Sequence, residues 1–261
     1  MRRLLLLLTI AAMVLVVALP AAAITYGQPD RNRHPEVGAL VVTIDTGERF
    51  ASCSGTLIAR RVFLTAAHCG GQDRVDVTFD SVVDERAVLH RGTFRPHPAY
   101  PGSAGDAADI AVVVFDEPVT GISPARLPEA RQLSRMKADK TLNQRTRFTS
   151  VGYGSQEFVN APGGKQPTYP GPHDIRQFAV GSFNALNKGW LRLTQNPATG
   201  DAGTCYGDSG GPNFLGAGAT ETNLIAGITV TGDVFCRSTN TTYRLDSAAA
   251  RTFLGDFVAL P

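Results

Sequence analysis

The sequence predicts an all-β domain, a sandwich or a barrel, and three observations carry that reading. Short apolar runs rich in valine, isoleucine, threonine and phenylalanine recur along the chain. Turn formers separate them, in a chain that holds 27 glycines and 16 prolines. One stretch of any length, at the end, has apolar residues at helical spacing.

Taken in order, the predicted strands are Val37–Ile44, Gly55–Leu64, Val75–Phe79, Ile110–Phe115, Arg147–Val151, Trp190–Leu193 and Leu224–Val230. The predicted helix is Ser247–Leu260, where Ala250, Phe253, Leu254, Phe257 and Val258 fall on one face. Residues 155–174 break the pattern. Pro162, Gly163, Gly164, Pro167, Pro170, Gly171 and Pro172 make that stretch a surface loop, either functional or a solvated insertion.

Composition narrows the classes of function. Hydrophobic residues are 43% and charged residues 18% of the chain, which supports a packed core. The formal net charge is +2, and removing Arg2 and Arg3 leaves 23 basic against 23 acidic residues. That balance, with no basic block, gives no case for nucleic-acid or membrane-surface binding.

Residues 1–23 read as a secretory signal, and secretion to the extracellular space is the expected localisation. Arg2-Arg3 is the charged start, Leu4–Leu19 the apolar run and Ala21-Ala22-Ala23 the cleavage site. The alternative, a membrane anchor, needs roughly 20 apolar residues, more than this run supplies. The domain then spans 24–261. An oxidising compartment suits an even number of cysteines, Cys53, Cys69, Cys205 and Cys236. Four cysteines allow three pairings, and none forms the Cys-x-x-Cys pair of a zinc site. No acidic cluster argues for calcium, and no residue pattern calls for a metal or another cofactor.

Three segments carry chemistry. They are Thr65-Ala66-Ala67-His68-Cys69, Asp109-Ile110-Ala111 and Gly207-Asp208-Ser209-Gly210-Gly211-Pro212. A serine hydroxyl is a weak nucleophile until a base accepts its proton, and the base needs a third group to fix its tautomer. His34, His90, His97 and His173 lack any such context, and His97, between Pro96 and Pro98, reads as a surface-loop residue.

These segments resemble the histidine, aspartate and serine motifs of the chymotrypsin-like proteases, in that family's chain order. The resemblance runs from about Ile24 to the terminal helix. It implies two Greek-key six-stranded β-barrels packed together, about 24–135 and 136–245, followed by an α-helix at 247–260. It implies Ser209 as nucleophile, His68 as base, Asp109 as its orienting acid, and the N–H groups of Gly207 and Ser209 as the oxyanion hole. It implies disulfides Cys53–Cys69 and Cys205–Cys236. It also implies that the ammonium group of a new N-terminus at Ile24 pairs with Asp208, here straight after the signal. Substrates would be proteins or peptides, with protein protease inhibitors as possible partners, and the chain a monomer.

By the same resemblance, Gly203, Thr204, Val230, Gly232 and Thr241 surround the primary substrate pocket. Gly203 brings no charge where a trypsin-like enzyme has aspartate. Thr241 narrows the slot. The implied preference is for uncharged apolar side chains of small to medium size rather than arginine or lysine. Val230 stands where the family has a serine that helps seat the catalytic aspartate, which bears on turnover. Loss of a triad member would mark a binding protein on the same fold, but all three residues are present. An esterase would more often show another chain order.

Overall fold

Two runs, Val62–Thr65 and Ala111–Phe115, are buried on nearly every residue, and their position explains the architecture. A computed structural model of the chain describes residues 27–102, 107–155, 157–161, 164–167 and 174–261. The segment read as a signal, Ile24 and His173 lie outside the described residues.

A two-residue strand β1 (Gln28–Pro29) leads into β2 (Val37–Thr43), β3 (Arg49–Ala59), β4 (Val62–Thr65), β5 (Arg74–Thr78), β6 (His90–Pro96) and β7 (Ala111–Phe115). The last six form a closed antiparallel barrel in the order β2-β3-β4-β7-β6-β5. A short helix, Gln132–Ala138, precedes β8 (Arg147–Gly152). Next come β9 (Glu157–Ala161), β10 (Gly164–Pro167), β11 (Gln177–Leu186), β12 (Trp190–Thr194), β13 (Pro212–Leu215), β14 (Ile225–Gly232) and β15 (Thr239–Arg244). Here the ladder runs β8-β11-β12-β15-β14-β13 and closes back on β8, with β1 added outside β11. Counted along the chain, both barrels have the strand order 1-2-3-6-5-4. The protein is therefore all-β, two six-stranded barrels with a terminal helix, Ala248–Gly255.

Side chains alternate faces along a strand. Phe63, Ala111, Val113 and Phe115 fill the first barrel. Their neighbours Val62, Leu64 and Val112 point the other way, into a second core shared with Val151, Phe214, Ile228 and Tyr243 of the other barrel. Strands β4 and β7 thus form the inner wall between barrels. That is why they read as continuous apolar runs rather than alternating ones. Ala250, Phe253 and Leu254 of the terminal helix pack on the same shared core. The helix starts where the Ser247 hydroxyl accepts the Ala250 N–H, and ends near Gly255 rather than Leu260.

Several expectations need correction. Gly55–Leu64 is two strands, because Ala59 pairs with Val62 and Arg60-Arg61 makes the turn without glycine or proline. Residues 155–174 are not loop throughout, since β9 and β10 pair within them. Strands β1, β6, β11, β13 and β15 and the helix Gln132–Ala138 add to the predicted elements. In β15 the reason is plain: Asn240 and Thr242 are buried polar residues, so no apolar pattern exists to find. His97 is half-buried, its ring 5.1 Å from that of Phe253.

Candidate active site

The ladder between β4 and β7 ends with Thr65 opposite Ala111. The chain leaves β4 into a tight turn, Ala67–Cys69, and enters β7 from Asp109. The register therefore sets His68 beside Asp109. His68 Nδ1 lies 2.8 Å from Asp109 Oδ2, and the His68 backbone N–H donates to Asp109 Oδ1 at 3.0 Å. Both carboxylate oxygens are used, so the ring is held in position and in orientation. With Nδ1 donating its proton to Asp109, Nε2 is the basic nitrogen. Asp109 is buried, and the His68 side chain keeps 31% exposure.

Ser209 comes from the second barrel, on the turn between Cys205 and β13. Gly207 has φ +95°, a left-handed conformation that side chains other than glycine rarely adopt. Ser54 straps the turn to the first barrel. Ser54 N–H donates to the Ser209 carbonyl at 2.8 Å, and Ser54 Oγ donates to the Gly207 carbonyl at 3.0 Å. Thr65 Oγ1, on the strand leading to His68, donates to the Ser54 carbonyl at 2.8 Å. The Ser209 turn and the His68 turn are thus tied to the same stretch of β3.

Asp208 is fully buried, and its carboxylate accepts the Gly154 and Cys205 N–H groups, each at 2.8 Å. Burial pushes its pKa up to about 7, against the pull of those two hydrogen bonds. Disulfides brace both turns: Cys53–Cys69 joins β3 to the His68 turn, and Cys205–Cys236 joins the Ser209 turn to the loop after β14. The sulfurs of Cys53 and Cys69 lie close to His68 but are bonded to each other, so they offer no thiolate to a metal.

A cavity of about 280 Å³ opens beside Ser209. Thr204, Val230 and Gly232 line it, together with Asp233, Val234 and the Cys205–Cys236 bridge. Gly203 and Thr241 do not border it. Burial opposes the charge on Asp233, but hydrogen bonds from the Thr239, Arg237 and Ser238 N–H groups outweigh it and hold the carboxyl below its ordinary pKa.

Sequence reasoning missed Ser54, which no motif marks, and a buried network behind the site. Arg176 is 1% exposed and reaches Asp30 at 2.9 Å, Asn32 at 2.7 Å and the Val37 and Phe79 carbonyls at 2.8 Å. Asp30 also contacts His34 Nδ1, whose Nε2 lies 2.6 Å from Glu221. These contacts hold residues 30–37 against both barrels.

Comparison with known proteins gives two findings. Residues 28–249 match the family model described as Trypsin. A curated protein named trypsin, from Saccharopolyspora erythraea, is 28% identical over 215 residues, covering 77% of this chain and 82% of its own length.

Proposed function

Because the chain belongs to the trypsin family and is a serine endopeptidase, we propose that Ser209, His68 and Asp109 carry its peptide-bond hydrolysis. His68 takes the Ser209 proton as the hydroxyl attacks the scissile carbonyl. The Gly207 and Ser209 N–H groups receive the oxyanion, where one donor contributes about 3 kcal/mol to lowering the barrier. His68 then passes its proton to the leaving amine, and water releases the acyl group by the same route. Asp109 keeps Nδ1 protonated and stabilises the imidazolium. The observation that carries this reading is the two-point grip of Asp109 on His68, at 2.8 and 3.0 Å.

Stoichiometric labelling of Ser209 by a phosphonofluoridate is expected, with loss of label and of protein digestion in Ser209→Ala. A labelled protein that digests no peptide sinks the peptidase reading.

The protein is secreted, residues 1–23 are its signal, and Ile24 is the mature N-terminus whose ammonium group pairs with Asp208. Two disulfides fit an oxidising compartment, and the buried Asp208 carboxyl calls for a cation. N-terminal sequencing of the secreted protein decides the point, and a start other than Ile24 defeats it. The primary pocket takes an uncharged side chain ahead of arginine or lysine. Protein inhibitors would fill the same cleft, and the chain acts as a monomer.

A further inference from the structure

Gln195 follows β12 and closes the space next to Gly203. It is 1% exposed. A Cβ on Gly203 would fall 2.1 Å from Gln195 Oε1 and 2.3 Å from Gln195 Cβ, so the glutamine stands where a side chain at 203 would project. Oε1 accepts the Thr204 N–H at 2.9 Å, which fixes the two ends of the amide. Nε2 has no hydrogen-bond partner among the described residues. It lies 3.9 Å from the place a Cβ on Gly232 would occupy, and Gly232 and Thr204 both line the cavity beside Ser209.

A buried donor left unpaired is unfavourable, and a substrate atom that accepts its proton removes the penalty. We propose that Gln195 is a specificity-determining residue whose Nε2 donates to a carboxamide oxygen, so that the enzyme cleaves after glutamine or asparagine. The assignment rests on Ser209 being the nucleophile. Charge selects the amide over the acid. Among the described residues, Asp233 is the charged residue that borders the cavity, and no cation lines it to meet a buried carboxylate. Arginine or lysine would bring donors against a donor. A site built for a hydrogen bond rejects analogues that lack the partner more strongly than an apolar slot rejects a misfit.

The test is a peptide series varied only at the residue before the scissile bond, with Gln, Asn, Glu, Met, Leu and Arg. Gln or Asn is expected to exceed Met and Leu by at least about tenfold in kcat/KM, with Glu and Arg below both amides. Gln195→Met keeps the volume and removes the donor, and should erase the preference. Gln195→Glu keeps an acceptor for Thr204 N–H and turns the donor into an acceptor. It should lower kcat/KM on the Gln or Asn peptide at least about tenfold. Wild-type cleavage after Leu or Met as fast as after Gln and Asn overturns the role of Gln195. So does a carboxamide preference that survives both variants. Phosphonofluoridate labelling, measured on each protein, reads the role of Ser209 separately: label without carboxamide preference sinks Gln195 alone, and no label sinks both.

Discussion

The Ser54 hydroxyl of the first barrel donates to the Gly207 carbonyl of the second at 3.0 Å, while accepting the Tyr153 N–H at 2.9 Å. Its own N–H holds the Ser209 carbonyl. One residue therefore holds the Gly207–Asp208 and Ser209–Gly210 peptides, the neighbours of those that carry the proposed oxyanion donors, the Gly207 and Ser209 N–H groups. Ser54→Ala keeps the backbone bond and strands the Gly207 carbonyl and Tyr153 N–H. It is expected to lower kcat about tenfold with KM within about twofold, the signature of a group that matters in the transition state. A change confined to KM in steady-state kinetics would count against it.

Arg176 anchors residues 30–37. Arg176→Leu leaves Asp30 buried without its guanidinium, and should lower unfolding free energy by about 3–5 kcal/mol in denaturant titration. In a double-mutant cycle with Asp30→Asn, the combined loss should be smaller than the sum of the single losses, because the two side chains are in contact.

His34 gives the fold a pH dependence of definite sign. Burial disfavours its charged form, but hydrogen bonds to Asp30 and Glu221 and their negative charges prevail and raise its pKa. The charged ring thus contributes stability in full below its unfolded value of about 6.5, and the contribution is lost as pH rises through the raised folded value. Relative to His34→Gln, the wild-type Tm should fall on going from about pH 6 to pH 9. A difference in Tm independent of pH would refute the charged pair.

Asp208 runs the other way. A carboxyl with a pKa of about 7 in the fold becomes a burden as pH climbs from its unfolded value, about 4, toward 7. In the proposed pairing, the ammonium group of Ile24 would lift that burden. A protein given one extra alanine before Ile24 should therefore lose Tm relative to the Ile24-start protein over that interval, and lose activity with it. Parallel melting curves at pH 4 and pH 7 would argue against the pairing.

The shared core and the inner strands were legible because apolar residues there leave continuous runs, as in Leu64 and Val112. The segments around His68, Asp109 and Ser209 were legible because their residue types repeat a known constellation. What stayed hidden depends on contacts made far along the chain. Ser54 lies 153 positions from Gly207, and nothing local separates it from any serine after a cysteine. Gln195 occupies space that Gly203 leaves open, and no local pattern in the sequence marks that pairing. The polar strand β15 and the His34–Asp30–Arg176 network are buried against the usual rule for polar side chains, and only their partners explain them.

His68 and Asp109 belong to one barrel and Ser209 to the other, and each disulfide closes within a single barrel. Neither half holds all three of the residues proposed for catalysis, and among the described residues no disulfide joins the halves. Each half can close its own disulfide, and the three residues proposed to carry hydrolysis come together only when both barrels dock through the apolar wall and the Ser54 strap. On the proposed mechanism, a molecule whose barrels have not docked is harmless to its neighbours and to itself.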